Sequence, residues 1–123
     1  MILRMERIAS LDDIPPEGLR ITYREGPFDE EAILLKLSQS DVRAYKNECR
    51  HLPMRLDERE PSDIWDAERT HLMCSSHGAR YRPSDGLCVA GPCQGSHLRE
   101  LPLVVEGSEV FLDTSKIGGF FNV

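Results

Sequence analysis

The sequence predicts a small antiparallel all-β domain, a sandwich or barrel, and three observations carry that expectation. Residues 19–25, LRITYRE, alternate apolar Leu19, Ile21 and Tyr23 with polar neighbours, the period of a half-buried strand. Turn chemistry recurs at short intervals, most clearly in Pro83-Ser84-Asp85-Gly86, where proline presets φ and glycine accepts a positive one. No segment sustains a helical period over a long stretch.

Along the chain, LDDIPPEG (11–18) holds two prolines and a glycine and is expected to be a loop or a single helical turn. The compact apolar run AILLKLS (32–38) suits a buried strand, and DVRAYKN (41–47) follows a tight turn, so 32–47 is expected to be a hairpin. Residues 52–73 are crowded with charge and lack a sustained period. They are expected to form a surface excursion, shielded by Trp65, whose second half (63–73) turns back at Asp66-Ala67-Glu68-Arg69. Short strands at 79–81 and 87–91 should flank the Pro83–Gly86 turn, and LPLVVEGSEVFLD (101–113) should form a last hairpin. The tail KIGGFFNV is expected to pack onto the domain through Phe120 and Phe121.

Bulk properties narrow the function classes. A chain of 123 residues is expected to be one domain, spanning 1–123. Its net charge of −6 argues against nucleic acid as a partner, because a phosphate backbone selects a basic face. No run approaches the roughly 18 apolar residues of a membrane span, and Arg4 and Arg7 interrupt the start where a secretory signal would be apolar. The expectation is a cytoplasmic protein with no membrane partner. There, four cysteines act as ligands or free thiols more often than as a disulfide framework.

Two of those cysteines stand close before histidines. Cys49 and His51 are two residues apart, Cys74 and His77 three, with residues 52–73 between the pairs. Two cysteines and two histidines can hold a structural zinc ion tetrahedrally. The interleaved order, in which each loop offers one sulfur and one imidazole, also suits a binuclear centre with both sulfurs on one metal and both imidazoles on the other. A Cys/His catalytic pair does not explain why the arrangement occurs twice.

From Cys49 to Gly95 the chain resembles the Rieske family, whose 2Fe–2S cluster is bound by a C-x-H and a C-x-x-H loop. CRH (49–51) and CSSHG (74–78) match those loops; Tyr81, Asp85-Gly86 and Gly91-Pro92 resemble the rest of the second loop, its hairpin and the proline loop. RAYKNECRH resembles the strand that delivers the first loop, and LPLVVEGSEVFL the final hairpin. The resemblance implies a β domain with an inserted cluster-binding subdomain at about 47–95. It further implies one 2Fe–2S cluster on Cys49, His51, Cys74 and His77, the two imidazoles keeping one ring nitrogen near solvent. Two thiolates and two neutral imidazoles bring such an oxidised site to formal neutrality, where four thiolates leave it doubly negative, so the mixed set accepts an electron more readily.

Departures from the family pattern set the expected subtype. Met54 and Ser76 stand where quinol-oxidising members carry an extra disulfide, so that bridge cannot form. Ala79 stands where high-potential members place a hydrogen-bonding serine, while Tyr81 keeps the second donor position. The resemblance therefore implies a low-potential, ferredoxin-like electron carrier, not an enzyme by itself, that serves a reductase and an oxygenase or other redox acceptor. The alternative is a regulatory or interaction module, a redox sensor or structural zinc protein, whose metal holds two loops for a partner. Cys88 and Cys93, five residues apart, are expected to be free and packed, a bridge requiring Cα atoms within about 7 Å. His71 and His97 are expected to be non-ligands.

Overall fold

A computed structural model describes residues 5–39, 41–49, 56, 64–74 and 78–117. Met54, Ser76, Phe120 and Phe121 lie outside these residues, as do His51 and His77. The described residues contain nine strands: β1 (Met5–Ser10), β2 (Leu19–Glu25), β3 (Phe28–Ser38), β4 (Asp41–Lys46), β5 (Leu72–Met73), β6 (Arg80–Tyr81), β7 (Cys88–Ala90), β8 (Leu103–Glu106) and β9 (Glu109–Asp113). They form three antiparallel three-stranded sheets, ordered β1-β9-β8, β2-β3-β4 and β5-β6-β7. Helical structure among them is limited to short 3-10 turns, such as Leu11–Asp13 and Thr114–Lys116. The all-β expectation holds. Among the described residues no helix is long and apolar enough to cross a membrane.

β3 organises the molecule. Its alternate side chains serve two cores: Ala32 and Leu34 join Ile21, Tyr23, Val42, Ala44, Val110 and Leu112. Ile33 and Leu35 join Tyr45, Leu72, Cys74, Tyr81 and Cys88. A strand buried on both faces reads as a continuous apolar run instead of an alternating one, which is why AILL looks as it does. The β3–β4 hairpin appears where the sequence places it, with Leu34 opposite Ala44.

Two strand segments exceed the sequence expectation. β3 begins at Phe28, not Ala32, and pairs back onto β2 from Glu25 opposite Phe28. Its acidic start is tolerated because Lys46 Nζ lies 3.5 Å from Glu30 and 3.9 Å from Glu25. β1 is also unanticipated. A register shift between Arg7 and Ala9 breaks the period-two pattern that would have revealed it.

The described residues of 52–73, namely 56 and 64–73, depart from the surface excursion their charge suggests. Leu56, Ile64 and Leu72 are fully buried in the second core. Trp65 is half-buried and ties the segment to the β1–β2 connection by donating its indole N–H to the Glu17 carbonyl at 2.9 Å. Widely spaced apolar anchors among charges carry no period, so pattern reading misses them. The predicted reversal at Asp66–Arg69 is present, closed by the Asp66 N–H on the His71 carbonyl and an antiparallel bridge from Trp65 to Leu72.

Asp66 holds that turn. Its buried carboxylate accepts from the Thr70 N–H at 2.9 Å, the His71 N–H at 3.2 Å and the Thr70 hydroxyl at 3.2 Å. Burial alone would push its pKa up, but these donors outweigh burial and hold the carboxyl below the usual range. A folded pKa below the unfolded one gives stability that is present in full above about pH 4 and is lost as pH falls further. Asp66→Ala is therefore expected to lower the urea midpoint at pH 7, by a margin that narrows toward pH 3. Trp65 fluorescence is the local reporter.

Candidate functional site

The two expected ligand loops leave the scaffold at the ends of β4 and β5. After β4, the Asn47 N–H bonds to the Glu31 carbonyl at 2.8 Å, and its side-chain oxygen accepts the Leu56 N–H at 2.9 Å. That pins the chain just before Cys49, which is buried. After β5, Cys74 is completely buried; its N–H bonds to the Ala79 carbonyl at 2.9 Å, and the Gly78 N–H returns to the Cys74 carbonyl at 2.8 Å. Gly78 takes φ +73°, the left-handed conformation this tight reversal needs.

Tyr81, on β6, places its hydroxyl within reach of two cysteine sulfurs. The oxygen lies 3.4 Å from Cys49 Sγ and 3.1 Å from Cys93 Sγ. Cys93 Sγ is in turn 3.1 Å from Cys88 Sγ, and both thiols are free. The third loop is pressed onto the second at Gly91, where φ is +99° and an added Cβ would lie 2.8 Å from Ala79 Cα. Ala79 is fully buried beneath it.

The β6–β7 hairpin carrying Tyr81 is closed as its sequence predicts. Gly86 donates to the Arg82 carbonyl at 2.7 Å, and Asp85 accepts from the Leu87 N–H at 3.0 Å and pairs with the Arg82 guanidinium. The guanidinium first, and the Leu87 N–H second, hold the Asp85 carboxyl down at about 2. Tyr45 braces the same turn from β4, its hydroxyl donating to the Pro83 carbonyl at 2.7 Å.

Of the four residues expected to bind a cluster, Cys49 and Cys74 are buried members of one core, and His51 and His77 lie outside the described residues. Among the described residues no three metal-ligating side chains gather. The other two histidines have separate roles. His71 Nδ1 is 3.0 Å from the Thr70 hydroxyl and 3.7 Å from Asp66, while His97 forms a backbone bridge to Leu87. The donor chemistry fits an iron–sulfur group. Two buried cysteine sulfurs come from two different loops, and a hydroxyl sits close to one of them. Sequence reading missed the contact between Tyr81 and Cys93, since only the β6–β7 fold creates it.

Comparison with known proteins agrees with this geometry. Residues 7–107 match the Rieske [2Fe-2S] domain, and the chain belongs to that family. Among solved structures, it is similar to the ferredoxin of carbazole 1,9a-dioxygenase from Nocardioides aromaticivorans IC177. The identity is 25%, the TM-score 0.64, and the match covers 88% of this chain and 95% of that one. The Sphingomonas yanoikuyae B1 ferredoxin shares the fold at 19% identity, TM-score 0.65, over 89% of this chain and 98% of that one. The terminal oxygenase of carbazole 1,9a-dioxygenase from Novosphingobium sp. KA1 contains the same fold, at 20% identity and TM-score 0.67. That match covers 94% of this chain but 30% of the oxygenase. No curated protein sequence matches the chain.

Proposed function

We propose that Cys49, His51, Cys74 and His77 hold one Rieske-type 2Fe–2S cluster, and that the chain is a cytoplasmic ferredoxin passing single electrons from a reductase to an oxygenase or another redox enzyme. The cluster-binding subdomain would span about 47–95 of a single domain covering 1–123. The observation that carries the reading is the near end-to-end likeness to a dioxygenase ferredoxin, with two buried cysteines at the two loop positions. Bound there, the cluster supplies a one-electron couple.

The chain's own residues tune and protect that couple. The Tyr81 hydroxyl is placed to donate to the Cys49 sulfur, and a donor to sulfur favours the more negative, reduced state. Ala79 offers no second donor. Burial of Cys49, Cys74, Ala79 and Tyr81 excludes water from the sulfur side.

Purified protein is expected to be brown, to contain two irons and two acid-labile sulfides per chain by the family's stoichiometry, and to exchange one electron reversibly with a reductase. Colourless material with a single zinc would overturn the proposal. Ala79→Ser is expected to raise the midpoint potential in a redox titration. One hydrogen bond of about 1 kcal/mol is roughly 40 mV for one electron. An unchanged or lowered potential removes the hydrogen-bond explanation of the subtype.

A further inference from the structure

We propose that Cys88 and Cys93 are a second redox site, a dithiol that closes to a disulfide, and that Tyr81 conveys its state to Cys49. The second half of this inference rests on the cluster reading above; the first does not.

The two sulfurs are already 3.1 Å apart and unbonded. Closing to a disulfide length of about 2.05 Å requires a movement on the order of 1 Å. The loop between them is built to keep them facing. Gly91 makes the turn at φ +99°, the Gly95 N–H bonds to the Cys88 carbonyl at 3.0 Å, and the Ser96 N–H to the Cys93 carbonyl at 3.0 Å. The Ser96 hydroxyl adds a bond to the same Cys93 carbonyl at 2.7 Å.

The thiols differ in access. Cys88 is buried, whereas Cys93 is part-exposed. Burial, with Cys93 beside it, pushes the Cys88 thiol up to about 11, so it stays protonated near neutrality. Cys93 is thus the sulfur a small disulfide oxidant meets. With glutathione disulfide, the Cys93 sulfur attacks, the oxidant's S–S bond breaks, and one glutathione leaves. Cys88 then attacks Cys93 Sγ, giving up its proton, and the second glutathione leaves. Two S–H bonds are lost, one S–S bond forms, and two electrons and two protons end on two glutathione thiols.

Hydrogen-bond polarity gives the coupling its sign. A ligating thiolate at Cys49 only accepts, so the Tyr81 hydroxyl donates to it while its oxygen lies within hydrogen-bond reach of the Cys93 S–H. Chained bonds strengthen one another. In the disulfide, Cys93 has no hydrogen and becomes a competing acceptor, so donation to Cys49 weakens and the cluster potential falls.

The test equilibrates full-length holoprotein in glutathione buffers, traps free thiols by alkylation, and maps peptides by mass while following iron content and cluster potential. Cys88 and Cys93 are expected to lose alkylation together and to appear as one linked peptide two hydrogens lighter, with iron retained and a lowered potential. Cys93→Ser, which keeps a donor, is expected to hold the reduced protein's potential in every buffer. Cys93→Ala is expected to sit at the lower value, equally unresponsive. Failure to link the two cysteines in glutathione disulfide alone overturns the dithiol. Linkage without a change in potential, or equal potentials in the Ser and Ala variants, overturns the role of Tyr81. Linkage in material that never held iron or sulfide keeps the dithiol and removes the ferredoxin reading, together with the coupling that depends on it.

Discussion

Alanine in place of Cys74 is expected to yield a folded chain with no bound iron and no acid-labile sulfide. The substitution removes one buried sulfur, a loss on the order of 1 kcal/mol in apolar burial. The backbone bonds that shape the second loop, from Cys74 N–H to Ala79 and from Gly78 N–H to the Cys74 carbonyl, do not involve the side chain. Structure and cofactor retention should therefore separate: circular dichroism close to that of the parent, and iron content near zero. Cys88→Ala is the matched control, since Cys88 is equally buried in the same core but carries no proposed ligand role. It is expected to keep its iron. Iron retained in Cys74→Ala, or lost equally from both variants, would mean that Cys74 is not a ligand.

The second large effect is expected at Gly91. An L-residue at φ +99° is strained by roughly 1–2 kcal/mol, and the new Cβ would stand 2.8 Å from Ala79 Cα and 3.3 Å from Ala79 N. These are backbone atoms that no rotamer change can move aside, so overpacking adds about 1–3 kcal/mol. Gly91→Ala is expected to lose about 3 kcal/mol, a fall of roughly 10 °C in the thermal midpoint. It should also loosen the proline loop from the second ligand loop. Gly95→Ala separates the two causes: φ there is +96°, but nothing lies within 4 Å of its Cβ position. That variant should show the smaller loss. Equal losses would mean that the contact with Ala79 carries no cost of its own.

Local signals were legible in the sequence. β2 shows its period in LRITYRE, the β6–β7 turn is written in Pro83–Gly86, and β8–β9 turn at Gly107-Ser108, all where expected. The proposed ligand pairs stand out for the same reason, because a chelating loop needs its donors a few residues apart. What stayed hidden depends on distant partners. β1 is a strand because β9 accepts it across a register shift, and the Arg7–Glu109 ion pair fastens it there. Glu30 sits in a strand because Lys46 faces it from β4. Leu56 and Ile64 look like strays in a charged segment until the second core closes over them. At the site, the proximity of Cys93 to Tyr81 is invisible at a spacing of 12 residues.

The double burial of β3 makes the two halves of the molecule a single cooperative unit. Detaching the strand would expose Ile33 and Leu35 to one side and Ala32 and Leu34 to the other at the same moment, so no partly melted state keeps one half while sacrificing the whole strand. Local opening among the described residues at the sulfur-rich end then falls to the short strands β5, β6 and β7. The proposed carrier would thus meet its partners with an end backed by a strand that cannot peel away from either core alone.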